Sequence, residues 1–397
     1  MPFHFTPAVK NLIILGMILA LSILADALAK RTRLPRISLM VLLGVAIAFV
    51  QQVVFEQDKP ILPVHLRKSL IDLALVMVAF LLGSELTVQR MKSAGRSILI
   101  ISLTVVVVTV MVVGCGLFAA GIPVALSLTL AAISVATDPA AVSHTIRRKG
   151  KKGIKENILL GIVAIDDAWG IIVFGLLMAI TGCILASDGT PALLHAAWEL
   201  GGAILLGCAV GLPAAWLTGR LDPGEPTLAE AIALMLLLTG LSSALEVSAL
   251  LSAMVAGALV ASLAKHHAHS FREIEHIEWP FLVFFFVLSG TSVRLDALDQ
   301  SLFLIMAYMI LRLAGRFLGG FMGVRFVQKK ETGERLPGKL GLALTPQAGV
   351  AMGMALLAAD RYPEHSALIM PVVVVSTILF EMFGPFLVQN VLHSDCE

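Results

Sequence analysis

The run ILLGIVAIDDAWGIIVF, residues 158–174, decides the fold. It places two adjacent carboxylates, Asp166 and Asp167, in the middle of an apolar stretch (157–184) long enough to cross a bilayer; about 20 residues suffice. An acid at the bilayer centre costs about 2.5–3.5 kcal/mol on insertion scales, so the pair costs roughly 5–7 kcal/mol. That matches what a dozen Leu, Ile and Val residues at about −0.5 kcal/mol each return. An acid pair is not needed to hold helices together. Neighbours on a helix also point about 100° apart, so the two cannot share one partner equally. One can face a cationic side chain while the other faces a water-filled cavity; the bland alternative is a pair neutralised by protons and buried.

The rest of the chain supports a membrane reading. Its 397 residues are 58% hydrophobic and 14% charged, and the mean hydropathy is +0.93. A soluble domain carries about a quarter of its residues as Asp, Glu, Lys and Arg. This shortfall excludes a soluble enzyme, a disordered protein and a nucleic-acid-binding protein. The length holds roughly a dozen spans with short loops and leaves no room for a soluble catalytic or nucleotide-binding domain. Cys115, Cys183, Cys208 and Cys396 have no paired spacing, which argues against disulfides or a zinc site. With only Lys10 ahead of the first apolar run and no small-residue cleavage site after it, that run reads as a retained span.

Hydropathy predicts thirteen spans, at 9–29, 36–55, 66–88, 97–120, 122–146, 157–184, 191–218, 226–244, 247–264, 278–294, 300–327, 339–359 and 366–392. The apolar runs are continuous, which excludes a transmembrane β-barrel. Alternate loops, counted from the one after the first span, hold 21 of the 29 Lys and Arg. The opposite side holds Lys10, Lys59, Arg67, Lys68, Arg294 and Arg361; only Arg312 and Arg316 remain, inside a span. One missed or invented span would destroy this bias. The positive-inside rule then predicts a multi-pass protein of the plasma (inner) membrane, N-terminus outside and C-terminus cytoplasmic.

Other spans are interrupted in a related way. Thr137-Asp138-Pro139 breaks the fifth span, because proline lacks a donor and clashes with the carbonyl four residues back. Asp138 either belongs to a site at the break or caps the lower half-helix. Thr345-Pro346-Gln347, followed by Gly349, interrupts the twelfth. Paired Pro/Gly interruptions in two halves of a chain point to a transporter binding site. Each broken span is second in a three-span group, 97–184 and 300–392, and the count inverts one group relative to the other. Arg312 and Arg316 lie four residues apart on one face of the eleventh span. At least one calls for a carboxylate, Asp166 or Asp167, unless Arg316 snorkels to the headgroups. Gly315, Gly319 and Gly323 form a small-residue stripe for close packing. Glu381, mid-span in the last helix, is a candidate for a polar network. His266, His267 and His269 read as a solvated loop or a pH or metal sensor. HExxH, GxSxG, GxGD and Walker patterns are missing, so no intramembrane or ATP-driven enzyme is expected.

These motifs together resemble a known family. ATDPAAV (136–142), AIDDAWGII (164–172), GRFLGG (315–320), LTPQAGVAMG (344–353) and ILFEMFGPFLVQNVL (378–392) occur in the order and span positions of bacterial monovalent cation/proton antiporters, the sodium/proton exchanger superfamily, of the Asp-Asp type. RLPRISLMVLLG (33–44), FLLGSEL (80–86) and PFLVFFFVLSG (280–290) are also similar. The resemblance implies an all-α, thirteen-helix homodimer with inverted repeats and two broken crossing helices. It divides the chain into scaffold (1–95 and 186–298) and moving core (96–185 and 299–397). Asp167 resembles the essential acid that binds the cation or the proton, and Asp166 resembles the acid paired with a basic residue of the eleventh helix. Thr137 and Asp138 lie at the crossing, with Pro139, Pro346, Gln347 and Gly349 forming the breaks. Arg316, Arg312 and Glu381 are the expected charge-compensating groups. Many Asp-Asp members carry lysine where this chain has Arg316. Lysine can release a proton when desolvated and arginine cannot, which counts against two protons per cation.

The expected function is exchange of a monovalent cation, sodium favoured over potassium or lithium, for protons by alternating access. No cofactor, nucleotide or nucleic acid takes part. The alternative is a sodium-coupled symporter of a small organic anion on the related inverted-repeat fold; the Asp-Asp and TDP motifs count against it. A channel would need a continuous polar stripe, and only local polar spots are present.

Overall fold

A computed structural model of the chain describes residues 6–32, 35–54, 61–85, 95–149, 153–185, 189–217, 227–263, 267–294, 298–327, 336–347 and 349–393. Among these the regular structure is helical, without a strand. In lipid every backbone N–H and C=O must be satisfied within its own segment, which apolar runs achieve as helices. The helices are α1 (Pro7–Thr32), α2 (Arg36–Phe49), α3 (Val64–Glu85), α4 (Gly95–Ala119), α5 (Val124–Ile133), α6 (Pro139–Lys149) and α7 (Ile154–Leu185). There follow α8 (Gly189–Leu217), α9 (Thr227–Ala244), α10 (Ala249–Leu263), α11 (His267–Thr291), α12 (Leu298–Phe326), α13 (Gly349–Arg361) and α14 (Pro363–His393). Proline opens α1, α6 and α14, at the first helical position, where its missing N–H costs nothing.

Each of the thirteen expected spans coincides with one helix or with a broken pair. Among the described residues, seven helices are long and apolar enough to cross a membrane by length and composition alone. The others include short apolar helices, among them α5 and α10. The fifth span is α5 and α6 joined by a turn and an irregular stretch, residues 134–138. The twelfth is a short 3-10 turn (Leu340–Leu344), an irregular stretch at 345–347 and then α13. Two boundaries differ from expectation. The second span closes in a π-helical turn, Val50–Val54. The tenth begins at His267, well before the predicted 278, because α11 accommodates Pro280 as membrane helices can.

The helices pack in two groups. In one, α4 lies along α12, α5 against α7, and α14 against both α12 and α13. In the other, α10 packs between α3 and α8, and α11 against α2 and α3. The glycine stripe of α12 joins the first group. A Cβ at Gly315, Gly319 or Gly323 would stand 2.9, 2.7 or 3.0 Å from the Cα of Thr109, Val105 or Ile101 of α4. The two backbones therefore touch along three successive turns, running antiparallel. The broken spans both belong to this group, and their interruptions meet.

Candidate ion-binding site

The site is built where the two interruptions cross. Asp138 is the cap of α6: its Oδ1 accepts the Ala140 N–H at 2.9 Å, with Pro139 at the first helical position. This is the arrangement an Asp-Pro pair favours at a helix start. The Asp138 backbone N–H donates to the Pro346 carbonyl at 2.9 Å, so the two broken spans are bonded directly. Asp138 thus caps the half-helix and is also bonded, through its backbone amide, to the other interruption.

Breaking α5 frees the carbonyls at its C-terminal end, and a buried carbonyl needs a donor. The two arginines of α12 supply it. Arg312 Nε donates to Ser134 O at 3.0 Å, Nη2 to Ala136 O at 2.8 Å and Nη1 to Thr345 O at 2.7 Å. One guanidinium thus ties together the loose ends of both interruptions, and it stacks over the Phe380 ring at 4.6 Å. Arg316 Nη2 donates to the carbonyls of Ser134 and Ala136 at 3.3 Å, to Val135 O, and to Thr137 Oγ1 at 3.1 Å. Both arginines have no solvent exposure. The fork geometry of arginine suits this work, and a cation at the negative end of a helix is favourable.

Arg316 also pairs with the acid. Its Nη1 lies 2.8 Å from Asp166 Oδ2, with both side chains fully buried. Thr137 Oγ1 donates to the same Asp166 oxygen. Snorkelling of Arg316 is thereby excluded. Arg312, by contrast, bonds to carbonyls among the described residues; the acid pair is served by Arg316.

Asp167 is held differently. Its Oδ1 accepts the Thr137 N–H at a long 3.4 Å, and its Oδ2 is buried with no hydrogen-bond partner. Oδ1 of Asp166 is likewise buried and unpartnered. Leaving such oxygens bare inside a protein is costly. The arrangement therefore offers hard oxygen donors, beside one acid compensated by Arg316, for a proton or a small cation. Asp138 lies within electrostatic range of Asp167.

The remaining expected residues are placed as follows. Gln347 is buried in the twelfth-span break and donates to Thr377 Oγ1 of α14 at 3.3 Å. Gly349 starts α13. Glu381 bonds to neither arginine; its Oε2 accepts the Ser38 hydroxyl of α2 at 2.6 Å, a link between the two helix groups. His266 and the side chains of His267 and His269 lie outside the described residues. Two residues escaped the sequence reading. Ser38 is one, an ordinary small polar residue with no sequence signal. Tyr308 is the other, fully buried beside the Gln347 amide. One of only two tyrosines, it lies four residues before Arg312 on the same helix face, a spacing that could have flagged it.

Residues 16–390 match the family model described as sodium/hydrogen exchanger, transmembrane. The chain therefore belongs to the sodium/hydrogen exchanger family, whose members are transporters and not enzymes. It is 20% identical over 373 residues to the ammonium/H(+) antiporter subunit AmhT of Alkalihalophilus pseudofirmus, covering 93% of this chain and 92% of that one. Its fold matches the sodium proton antiporter MjNhaP1 of Methanocaldococcus jannaschii at pH 8, with a TM-score of 0.73 at 16% identity over 98% of this chain and all of that one. An electron-microscopy structure of the same antiporter gives 0.68 at 17% identity, covering 97% and 98%.

Proposed function

We propose that this member of the sodium/hydrogen exchanger family exchanges a monovalent cation, sodium in the first place, for a proton at Asp167. One observation carries the reading. At the crossing, Arg316 neutralises Asp166, while Asp167 keeps a buried oxygen without a partner. A bare carboxylate there is expensive, so Asp167 must hold either a proton or a cation, and one excludes the other. Thr137, whose hydroxyl and amide reach both acids, orients them. Arginine stays charged, so Asp166 stays paired throughout the cycle. One acid then serves one proton and one cation, and exchange is electroneutral.

Alternating access follows from the packing. The group holding the site, α4–α7 with α12–α14, is the moving core; α1–α3 with α8–α11 form the scaffold. Once Asp167 is neutralised, the core can carry it past the scaffold as an elevator, because no net charge then crosses the barrier. In this reading the protein lies in the plasma (inner) membrane, and the distribution of basic loops supports an orientation with the N-terminus and the tip of α13 outside and the C-terminus cytoplasmic. A homodimer through the scaffold completes the proposal.

The test is exchange in proteoliposomes, with an imposed pH gradient and sodium, lithium, potassium and ammonium offered in turn. Sodium should collapse the gradient at the same rate whether or not the membrane potential is clamped. A rate that follows the potential would refute one-for-one exchange, and no cation response at all would refute antiport.

A further inference from the structure

The proposed outer face carries charged contacts that the exchange site does not use. A cavity of about 280 Å³ opens between α3 and α13, lined among others by Lys68, Asp72 and Leu75 of α3 and by Asp360 of α13. Arg67, which also lines it, donates to Ser292 Oγ at 3.3 Å, at the end of α11, and so stays with its own helix group. Lys68 reaches the other way: its Nζ lies 3.1 Å from Asp360 Oδ2. The next residue of α13, Arg361, places Nη1 2.7 Å from Glu199 Oε2 of α8. Adjacent residues at the tip of α13 thus pair with α3 on one side and α8 on the other. Deeper in, Leu75 is 4% exposed and packs so closely on Gly353 of α13 that a Cβ at Gly353 would collide with it.

We infer that these contacts are the external gate: Lys68–Asp360 and Arg361–Glu199 clasp α13 to the scaffold, and Leu75 on Gly353 is the apolar seal beneath. The location supports this. The other end of α13, at Gly349, lies at the crossing beside the site, and its 13 residues span about 20 Å. Movement of the tip is therefore movement of the wall of the site. The strength of the clasp fits as well. The Lys68 and Asp360 side chains are 58% and 56% exposed, and a pair that exposed contributes little to stability; Arg361 and Glu199, at 31% and 20%, are more shielded yet still reach solvent. A joint that parts on every cycle needs weak polar contacts over a small apolar seal; a buried ion pair would hold it shut. The inference takes its meaning from the exchange reading, but the clasp can be tested without transport.

The experiment uses the full chain in proteoliposomes, with the four native cysteines replaced by serine and a reporter, Ile71→Cys, in the cavity wall. A membrane-impermeant thiol reagent is added outside. Lys68→Gln and Asp360→Asn should each raise the labelling rate about two- to fivefold, the population shift expected from losing an exposed ion pair. The charge exchange Lys68→Asp with Asp360→Lys should return it to the starting value. In a second arm, Lys68→Cys and Asp360→Cys are joined by a short, cleavable bifunctional thiol reagent. Exchange should stop when the link forms and recover when it is cut, which separates gating from misfolding. Unchanged labelling in both single variants, or full exchange with the link complete, would overturn the gate. Failure of the antiport reading would look different: no cation-driven proton flux in the unlinked protein, with the labelling result intact.

Discussion

Asp166 and Asp167 are adjacent, both buried, and expected to respond in opposite ways to the same change, acid to amide. Asp166→Asn removes the carboxylate from Arg316 and leaves a buried guanidinium without its anion. Breaking a buried pair from one side costs about 3–5 kcal/mol. Arg316 keeps its carbonyl partners at residues 134–136 and the Thr137 hydroxyl. Charge-assisted bonds of that kind are each worth roughly 1.5–3 kcal/mol, so the loss should fall near the lower end, about 3 kcal/mol. Asp167→Asn removes much less. The side chain's one hydrogen bond is the 3.4 Å contact from the Thr137 amide, which an Asn oxygen still accepts, and no cation is left unpaired. Its cost should stay within about 1 kcal/mol, the scale of one ordinary hydrogen bond. Function should divide the other way. An amide takes neither a proton nor a cation in exchange, so Asp167→Asn should show no cation-driven proton flux. Asp166→Asn should retain a measurable fraction. Thermal unfolding in one detergent, followed by proteoliposome flux on the same preparations, reads both quantities. Wild-type exchange by Asp167→Asn, or a larger stability loss for Asp167→Asn than for Asp166→Asn, would refute the division of labour.

Arg316→Lys should keep the fold but make exchange voltage-sensitive, since a desolvated lysine can release a proton; flux with and without a clamped potential measures it. Arg312→Gln abandons most of the bonds to Ser134, Ala136 and Thr345, and the melting temperature should drop well below that of Asp167→Asn. Gly319→Val sets a side chain against Val105 of α4, and the folded yield by size-exclusion chromatography should collapse while Gly16→Val, which meets nothing within 4 Å, leaves it unchanged. Proton and cation compete for one carboxylate, so the apparent KM for the cation should rise as pH falls, by up to about tenfold per unit in the acid limit. A KM independent of pH would contradict the shared site.

Much of the site was legible before the fold because its residues are anomalous in hydrocarbon. Asp166, Asp167, Arg312 and Arg316 each carry an insertion cost that ordinary packing does not require. The Asp-Pro and Thr-Pro-Gln breaks mark where backbone groups are set free. Their duties were less legible. At least one arginine was expected to answer to an acid, and Arg316 does, but Arg312 answers to three carbonyls; hydropathy counts charges and is blind to the dipoles of a broken helix. Glu381 was placed with the charge-compensating groups, whereas the structure bonds it to Ser38 of α2, 343 positions away. The ion pairs of Lys68 and Arg361 look in sequence like ordinary loop charges on the outer side. Only their partners distinguish them.

The linear sequence determines whatever depends on transfer from water to lipid, because that cost is summed residue by residue. It includes the membrane class, the thirteen spans, the gathering of basic residues into alternate loops, and the few residues that must be compensated. The tertiary structure alone decides which groups compensate which. Asp166 meets Arg316 across 150 positions, and the Asp138 amide meets Pro346, because the two breaks come together. Helices in lipid are apolar on the faces they bury and the faces they expose alike, so no periodicity in the chain records where they touch. Close packing of small residues and the need of freed backbone groups for partners settle it instead.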